Sequence, residues 1–103
     1  MLLVTAGLLW PVSAFSGDFY SGNDLSAKCT APEGSLDRVY CLGIMAGLAD
    51  AFETDGTTCL PKNSSVGQVN DVVTDYLRSH PADRHRAAAV LGRLALREAF
   101  PCK

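Results

Sequence analysis

The sequence predicts an all-α fold: a small four-helix domain with a short first helix, held together by two disulfides. Apolar residues recur at helical spacing in successive segments, and proline, glycine and N-cap signals separate those segments. No stretch shows the alternation of apolar and polar residues that is typical of a strand. Four cysteines, an even number in a chain of 103 residues, indicate a disulfide framework.

The N-terminal segment predicts export. Residues 2–10 are almost wholly apolar, and no charged side chain precedes Asp18. Small residues at Val12-Ser13-Ala14 then form the pattern of a signal-peptide cleavage site. We therefore expect a signal peptide over residues 1–14, whose basic beginning is missing from the recorded start, and a single helical domain over residues 15–103. The alternative is a buried N-terminal helix, which Pro11 disfavours because it breaks the apolar run. The run is also too short for a retained membrane anchor.

The first two helices follow clear start signals. Ser21 and Asp24 form a capping-box pattern that predicts a short helix from about Gly22 to Lys28. Ser35 is a good N-cap for a second helix from about Leu36 to Phe52.

The second helix carries an apolar stripe with two glycines one turn apart. Glycine costs a helix about 1 kcal/mol relative to alanine, so the pair indicates that another backbone packs closely there. The stripe consists of Leu36, Tyr40, Gly43, Gly47 and Ala51, and Val39, Ile44 and Leu48 widen it.

The third and fourth helices also show amphipathic spacing. Ser65 and Gln68 form a capping box for a helix over Val66–Ser79. Its predicted buried face is Val69, Val72, Val73, Tyr76 and Leu77. Asp83 can cap a fourth helix from about Arg84 to Ala99. The predicted face of that helix is Ala87, Val90, Leu91, Leu94, Ala95 and Glu98.

The order of the helices favours one of the three possible disulfide pairings. Short loops make neighbouring helices antiparallel, so the C-terminal ends of the second and fourth helices meet. Cys59 follows one and Cys102 follows the other, which predicts Cys59–Cys102 and leaves Cys29–Cys41. A zinc site is the alternative, but the closest cysteines in sequence are 12 positions apart, unlike paired zinc ligands.

The remaining residues favour binding over catalysis. Nine basic and eleven acidic residues leave a net charge of −2. This balance lacks the excess of basic residues that is typical of proteins that bind nucleic acid or an anionic membrane. His80 and His85 lack an accompanying nucleophile or carboxylate motif, so we expect neither a catalytic site nor a metal or other cofactor.

The polar loop from Glu53 to Ser65 is a candidate contact surface, because a disulfide-tied loop loses less entropy on binding. Simple connection of two helices is the alternative. A charge cluster before the fourth helix is either a second recognition patch or an ordinary solvated face. The candidate partner-binding residues are Asp55, Thr57, Lys62, Asn63, Arg84 and Arg86.

An ordered series of short motifs covers nearly all of residues 15–103. They run Phe19-Tyr20-Ser21-Gly22-Asn23-Asp24-Leu25 before Cys29, Cys41-Leu42-Gly43-Ile44-Met45-Ala46-Gly47-Leu48-Ala49-Asp50-Ala51, Cys59-Leu60-Pro61, Gly67-Gln68, Tyr76-Leu77-Arg78-Ser79-His80-Pro81 and Ala95-Leu96-Arg97-Glu98-Ala99-Phe100-Pro101-Cys102. Their order and cysteine placement resemble the Rap/Tai family of immunity proteins from type VI secretion systems.

The resemblance implies a helical periplasmic protein of a Gram-negative bacterium. Such a protein binds and blocks a peptidoglycan amidase effector, typically as a homodimer, and is not itself an enzyme. Proteins with this pattern also include orphans that lack a cognate toxin. The alternative function is a small periplasmic chaperone or envelope-stress factor, which predicts a large exposed apolar patch. An enzyme predicts a pocket with perturbed titratable groups.

Overall fold

The computed structural model describes residues 19–103, so the predicted signal peptide over residues 1–14 lies outside the described residues. Within the described part the chain forms four α-helices: α1 (Gly22–Cys29), α2 (Leu36–Thr54), α3 (Val66–Ser79) and α4 (Ala88–Ala99). A short 3₁₀ helix (Pro81–Asp83) lies between α3 and α4. The predicted all-α class with a short first helix is confirmed. Among these residues no helix is long and apolar enough to cross a membrane.

Local capping explains why three helices begin where the sequence predicts. The Ser21 and Asp24 pair forms a complete capping box at α1, and Ser65 and Gln68 form another at α3. The Ser35 hydroxyl accepts the Arg38 N–H at the start of α2. Each cap satisfies backbone donors that a helix start leaves without intrahelical partners.

The fourth helix begins at Ala88, so the predicted start at Arg84 and the Asp83 cap are wrong. Residues 84–87 instead pair with the beginning of α1: Gly22 N–H donates to Arg86 O and Asn23 N–H to Arg84 O, both at 2.8 Å. The Ala88 N–H donates in turn to Tyr20 O. This exchange satisfies the free donors of α1, which a continuous helix over Arg84–Ala99 would leave unpaired.

Both disulfides have the predicted pairing. Cys29–Cys41 ties the end of α1 to the first half of α2, and Cys59–Cys102 ties the segment after α2 to the chain after α4. Since all four described cysteines are paired, none is available as a thiolate for the zinc alternative.

One core is shared by all four helices. The predicted face of α3 is confirmed, with Val69, Val73 and Leu77 buried and Val72 and Tyr76 packed beside them. On α4 the buried face is rotated from the predicted one, so Val90 is exposed and Glu98 lies in solvent. The buried set is Leu25, Cys29, Cys41, Met45, Ala49, Phe52, Val69, Val73, Leu77, Ala88, Leu91, Ala95 and Leu96.

The predicted stripe of α2 lies on the wrong side of the helix. All five of its members, Leu36, Tyr40, Gly43, Gly47 and Ala51, are exposed. The buried side is Cys41, Met45, Ala49 and Phe52. Because α2 is apolar on both sides, periodicity alone cannot choose between them, and the bond from Cys41 to buried Cys29 fixes the rotation.

Candidate partner-binding surface

The loop between α2 and α3, residues 55–65 and here called the α2–α3 loop, is fastened to the end of α4. Cys59 is bonded to Cys102, and the Cys59 N–H donates to Phe100 O at 2.9 Å. Thr58 is buried, and its hydroxyl lies 2.9 Å from both Leu96 O and Phe100 O. Leu96 O also accepts the Phe100 N–H, so the Thr58 hydroxyl adds a side-chain contact at the C-terminal end of α4 while it anchors the loop.

Asp55 organises the beginning of the loop. Its carboxylate accepts the Thr57 hydroxyl at 2.6 Å and the Thr57 N–H at 2.9 Å. Arg93 of α4 lies 3.0 Å from the same carboxylate, donates to the Thr57 hydroxyl and stacks over the Phe52 ring. The two hydrogen bonds from Thr57 hold the pKa of Asp55 below its usual range, and the one from the hydroxyl contributes most. The nearby Arg93 lowers this pKa further, whereas desolvation raises it.

The lowered pKa predicts how the stability of the loop depends on pH. A carboxyl group whose pKa is lower in the folded state stabilises the fold above its unfolded pKa, about 3.9. That contribution disappears as the pH falls through the folded value. We therefore expect the difference in unfolding free energy between wild type and Asp55→Asn to shrink below about pH 4, measured by urea unfolding between about pH 2.5 and 6.

A second variant tests the cause of the shift. Thr57→Val keeps the shape of the side chain and removes the hydroxyl that contributes most, so the pKa of Asp55 should rise in a carboxyl NMR titration. Two results would contradict this account. One is a titration curve of Asp55 that is the same in Thr57→Val as in wild type. The other is a difference in unfolding free energy between wild type and Asp55→Asn that stays constant with pH.

The outer part of the loop presents two of the predicted contact residues to solvent. Lys62 and Asn63 are exposed, and Asn63 has φ 69°, a left-handed conformation that asparagine tolerates better than most residues. The Glu53 side chain holds the segment before these two residues, since its carboxylate accepts the Leu60 N–H at 2.8 Å. The exposed tip is therefore held in one shape by contacts on its inner side.

The remaining two predicted contact residues lie elsewhere. Arg84 and Arg86 precede α4 and pair through their backbones with the start of α1, whereas the α2–α3 loop is bonded to the far end of α4. The structure therefore places Asp55, Thr57, Lys62 and Asn63 in one loop, at the opposite end of α4 from the arginines, and that helix is about 18 Å long for its twelve residues.

The two histidines have different surroundings. The His80 ring stacks on Tyr76 at 3.9 Å between centroids, and its Nδ1 lies 2.8 Å from Tyr76 O at the end of α3. His85 is exposed in the segment before α4.

The comparison with family models is decisive for the relationship of this chain. The model described as Rap1a immunity proteins matches residues 21–102. The chain belongs to the Rap1a immunity protein family. Its match includes all four helices and both disulfides. A comparison with curated proteins found no match.

Membership of the Rap1a family makes a protein effector the expected partner and a non-enzymatic inhibitor the expected activity. The two disulfides fit an exported protein. The sequence pattern does not indicate the roles of Glu53, Thr58 and Arg93, the residues that shape the loop. Arg93 contacts Asp55 from 38 positions along the chain, and no local pattern signals such a contact.

Proposed function

We propose that this Rap1a family member is a periplasmic immunity protein that binds and inhibits a peptidoglycan amidase effector of a type VI secretion system. The observation that carries the proposal is the family match across residues 21–102, the whole helical domain. The protein acts as a homodimer, requires no cofactor and contributes no catalytic residue of its own.

The α2–α3 loop is the proposed centre of the contact with the effector. Its inner side is fixed by Thr58, the Cys59–Cys102 bond and the Asp55–Arg93 ion pair, so binding need not order it. Preorganisation of this kind increases affinity, because less conformational entropy is lost on association. Lys62 and Asn63 at the exposed tip then make direct contacts.

Arg84 and Arg86 are a proposed second contact region. A protein interface of standard size covers about 800 Å² on each partner, which corresponds to roughly 30 Å across. An effector that lies along α4 therefore reaches both the loop tip and the arginines. This arrangement predicts that substitutions in the two regions weaken the complex independently.

The first test is whether a peptidoglycan amidase gene lies beside this gene; the second is inhibition of that amidase, measured as hydrolysis of purified peptidoglycan with the purified proteins. We expect wild type to inhibit at equimolar concentration, and Lys62→Glu and Arg86→Glu each to raise the Kd about tenfold or more. Asp71→Lys, an exposed charge change on α3, is the matched control and should inhibit like wild type. No inhibition by the folded wild-type protein would refute the proposed function.

A periplasmic chaperone is the second candidate, and one observation favours it. Leu36, Val39 and Tyr40 on α2 are large apolar side chains exposed by 76%, 59% and 52%. Exposed apolar patches are typical of proteins that bind unfolded clients. Suppression of aggregation of an unrelated reduced protein, with no effect on the amidase, would support the chaperone over the inhibitor.

A further inference from the structure

A pocket of about 240 Å³ lies open to solvent between α3 and α4. Val72 and Ala95 supply its apolar lining, and the stacked rings of Tyr76 and His80 line it as well. Glu98, an exposed residue near the end of α4, completes this side of the pocket. The pocket shares no residue with the α2–α3 loop, so the proposed loop contact leaves its chemistry unused.

Apart from the Tyr76 hydroxyl, which can donate or accept, the polar side chains of the pocket offer hydrogen-bond acceptors. Nδ1 of His80 lies 2.8 Å from Tyr76 O. Because a carbonyl oxygen only accepts, Nδ1 carries the proton, and Nε2 of the neutral ring is an acceptor. The Ser79 hydroxyl donates its one proton to Asp75 O at 2.9 Å, so only its lone pairs remain. The carboxylates of Asp75 and Glu98 only accept, and a matching ligand therefore needs several donors.

The ends of two helices give the pocket a negative potential. Ser79 and Ala99, the last residues of α3 and α4, both line it, and the C-terminal end of a helix carries partial negative charge. Glu98 lies in the last turn of α4, where a carboxylate interacts unfavourably with the helix dipole. A cation in the pocket would interact favourably with Glu98 and with both helix ends.

Two arginines are close to the pocket in sequence, but neither lines it. Arg78 is paired with Asp75 and partly balances that charge. Arg97 precedes Glu98 on α4 and is exposed. Among the described residues no basic side chain forms an ion pair with Glu98, so its charge is available to a ligand.

We propose that this pocket binds the guanidinium group of an arginine side chain presented by the effector. A guanidinium has five donors in one plane and stacks on aromatic rings, whereas an ammonium group is a compact charge with three donors. Separate acceptors beside the Tyr76–His80 pair therefore favour arginine over lysine. The methylene stem of the arginine packs on Val72 and Ala95.

The effector as the source of this arginine rests on the proposed function. The pocket and the α2–α3 loop meet at the same end of α4, because Phe100 O, one residue beyond Ala99, accepts the Cys59 N–H. One interface of standard size, roughly 30 Å across, covers both. Arginine is also among the residues that contribute most to the affinity of protein interfaces.

The first test is an NMR titration of the mature protein with N-acetyl-L-arginine methylamide, at about pH 8, where histidine side chains are neutral. We expect saturable shifts at the amides of Ser79, His80 and Glu98. The citrulline analogue has a similar shape without the charge and should bind about tenfold more weakly. Glu98→Gln should raise the Kd of the arginine compound by a similar factor. Asp71→Asn, which removes an exposed carboxylate of α3 outside the pocket, is the matched control and should leave it unchanged.

The second test is the Kd of the complex with the effector, which Glu98→Gln should raise about tenfold and Asp71→Asn should not change. Far-UV CD of both variants reports the fold. No saturable binding of the arginine compound, or equal binding of the citrulline compound, would overturn the guanidinium site. Binding of the compound with an unchanged effector Kd in Glu98→Gln would overturn the effector as the source of the arginine.

Amidase inhibition by wild type is measured separately from both titrations. If wild type does not inhibit the amidase while the arginine compound still binds at the pocket, the proposed function and the effector's arginine are refuted, and the guanidinium site is retained. If wild type inhibits but the compound does not bind, the proposed function is retained and the guanidinium site is refuted.

Discussion

Replacing both Cys59 and Cys102 by alanine is expected to lower the free energy of unfolding by roughly 4 kcal/mol. The bond joins positions 43 residues apart, and the chain-entropy model gives this value for a loop of that length. Both cysteines are exposed, so little of the loss comes from core packing. The measurement is equilibrium urea unfolding of the variant and of wild type without reductant.

Two further observations test that explanation. A serine pair at the same positions should give the same loss as the alanine pair, because neither side chain is in the core. Hydrogen exchange should quicken first at Thr57, Thr58 and Cys59, whose amides bond to Phe52 O or Phe100 O. A loss below about 1 kcal/mol would show that the other loop contacts hold this segment without the bond.

Leu91→Ala is expected to cost about 3–5 kcal/mol, the range for removing a fully buried leucine from a core that relaxes only partly. Leu91 has no exposed surface and packs where α1 meets α4. A Cβ built on Gly22 would collide with the Leu91 side chain and lie 2.9 Å from Arg84 O, so the two backbones approach closely at this point. Thermal unfolding followed by CD is a sufficient measurement.

The neighbouring Val90→Ala is the matched control for that substitution. Val90 lies on the same helix but is 41% exposed, and surface substitutions of this kind usually change stability by no more than about 0.5 kcal/mol. Equal losses for the two variants would mean that α4 is rotated so that Val90 also faces the core, as in the face predicted from the sequence.

The parts of the fold that depend on local signals could be predicted from the sequence. Ser21, Ser35 and Ser65 act on backbone groups within three residues, so their effect can be read directly. The disulfide pairing could also be predicted from the sequence, because its prediction requires only the order of the helices and the short loops between them.

The remaining errors involve contacts between distant parts of the chain. The start of α4 is set by pairing of Arg84 and Arg86 with Gly22 and Asn23, and no local pattern signals that strip of backbone hydrogen bonds. The rotation of α2 is set by a bond to α1 rather than by its own apolar pattern. In the candidate surface, the polarity of the loop predicts Lys62 and Asn63 as exposed contact residues. The role of Arg93 cannot be predicted in this way, because it depends on how α4 packs against the loop.

The two disulfides have a consequence for how the protein matures. The bridge Cys29–Cys41 lies wholly before the bridge Cys59–Cys102 along the chain, so the two rings follow one another and are neither nested nor interleaved. When cysteines are oxidised in the order in which they emerge into an oxidising compartment, successive pairing yields the native bonds directly. Thiol–disulfide rearrangement is then unnecessary. The first ring can close before α3 and α4 have emerged into that compartment. The second ring, which contains both helices, closes after Cys102 has emerged.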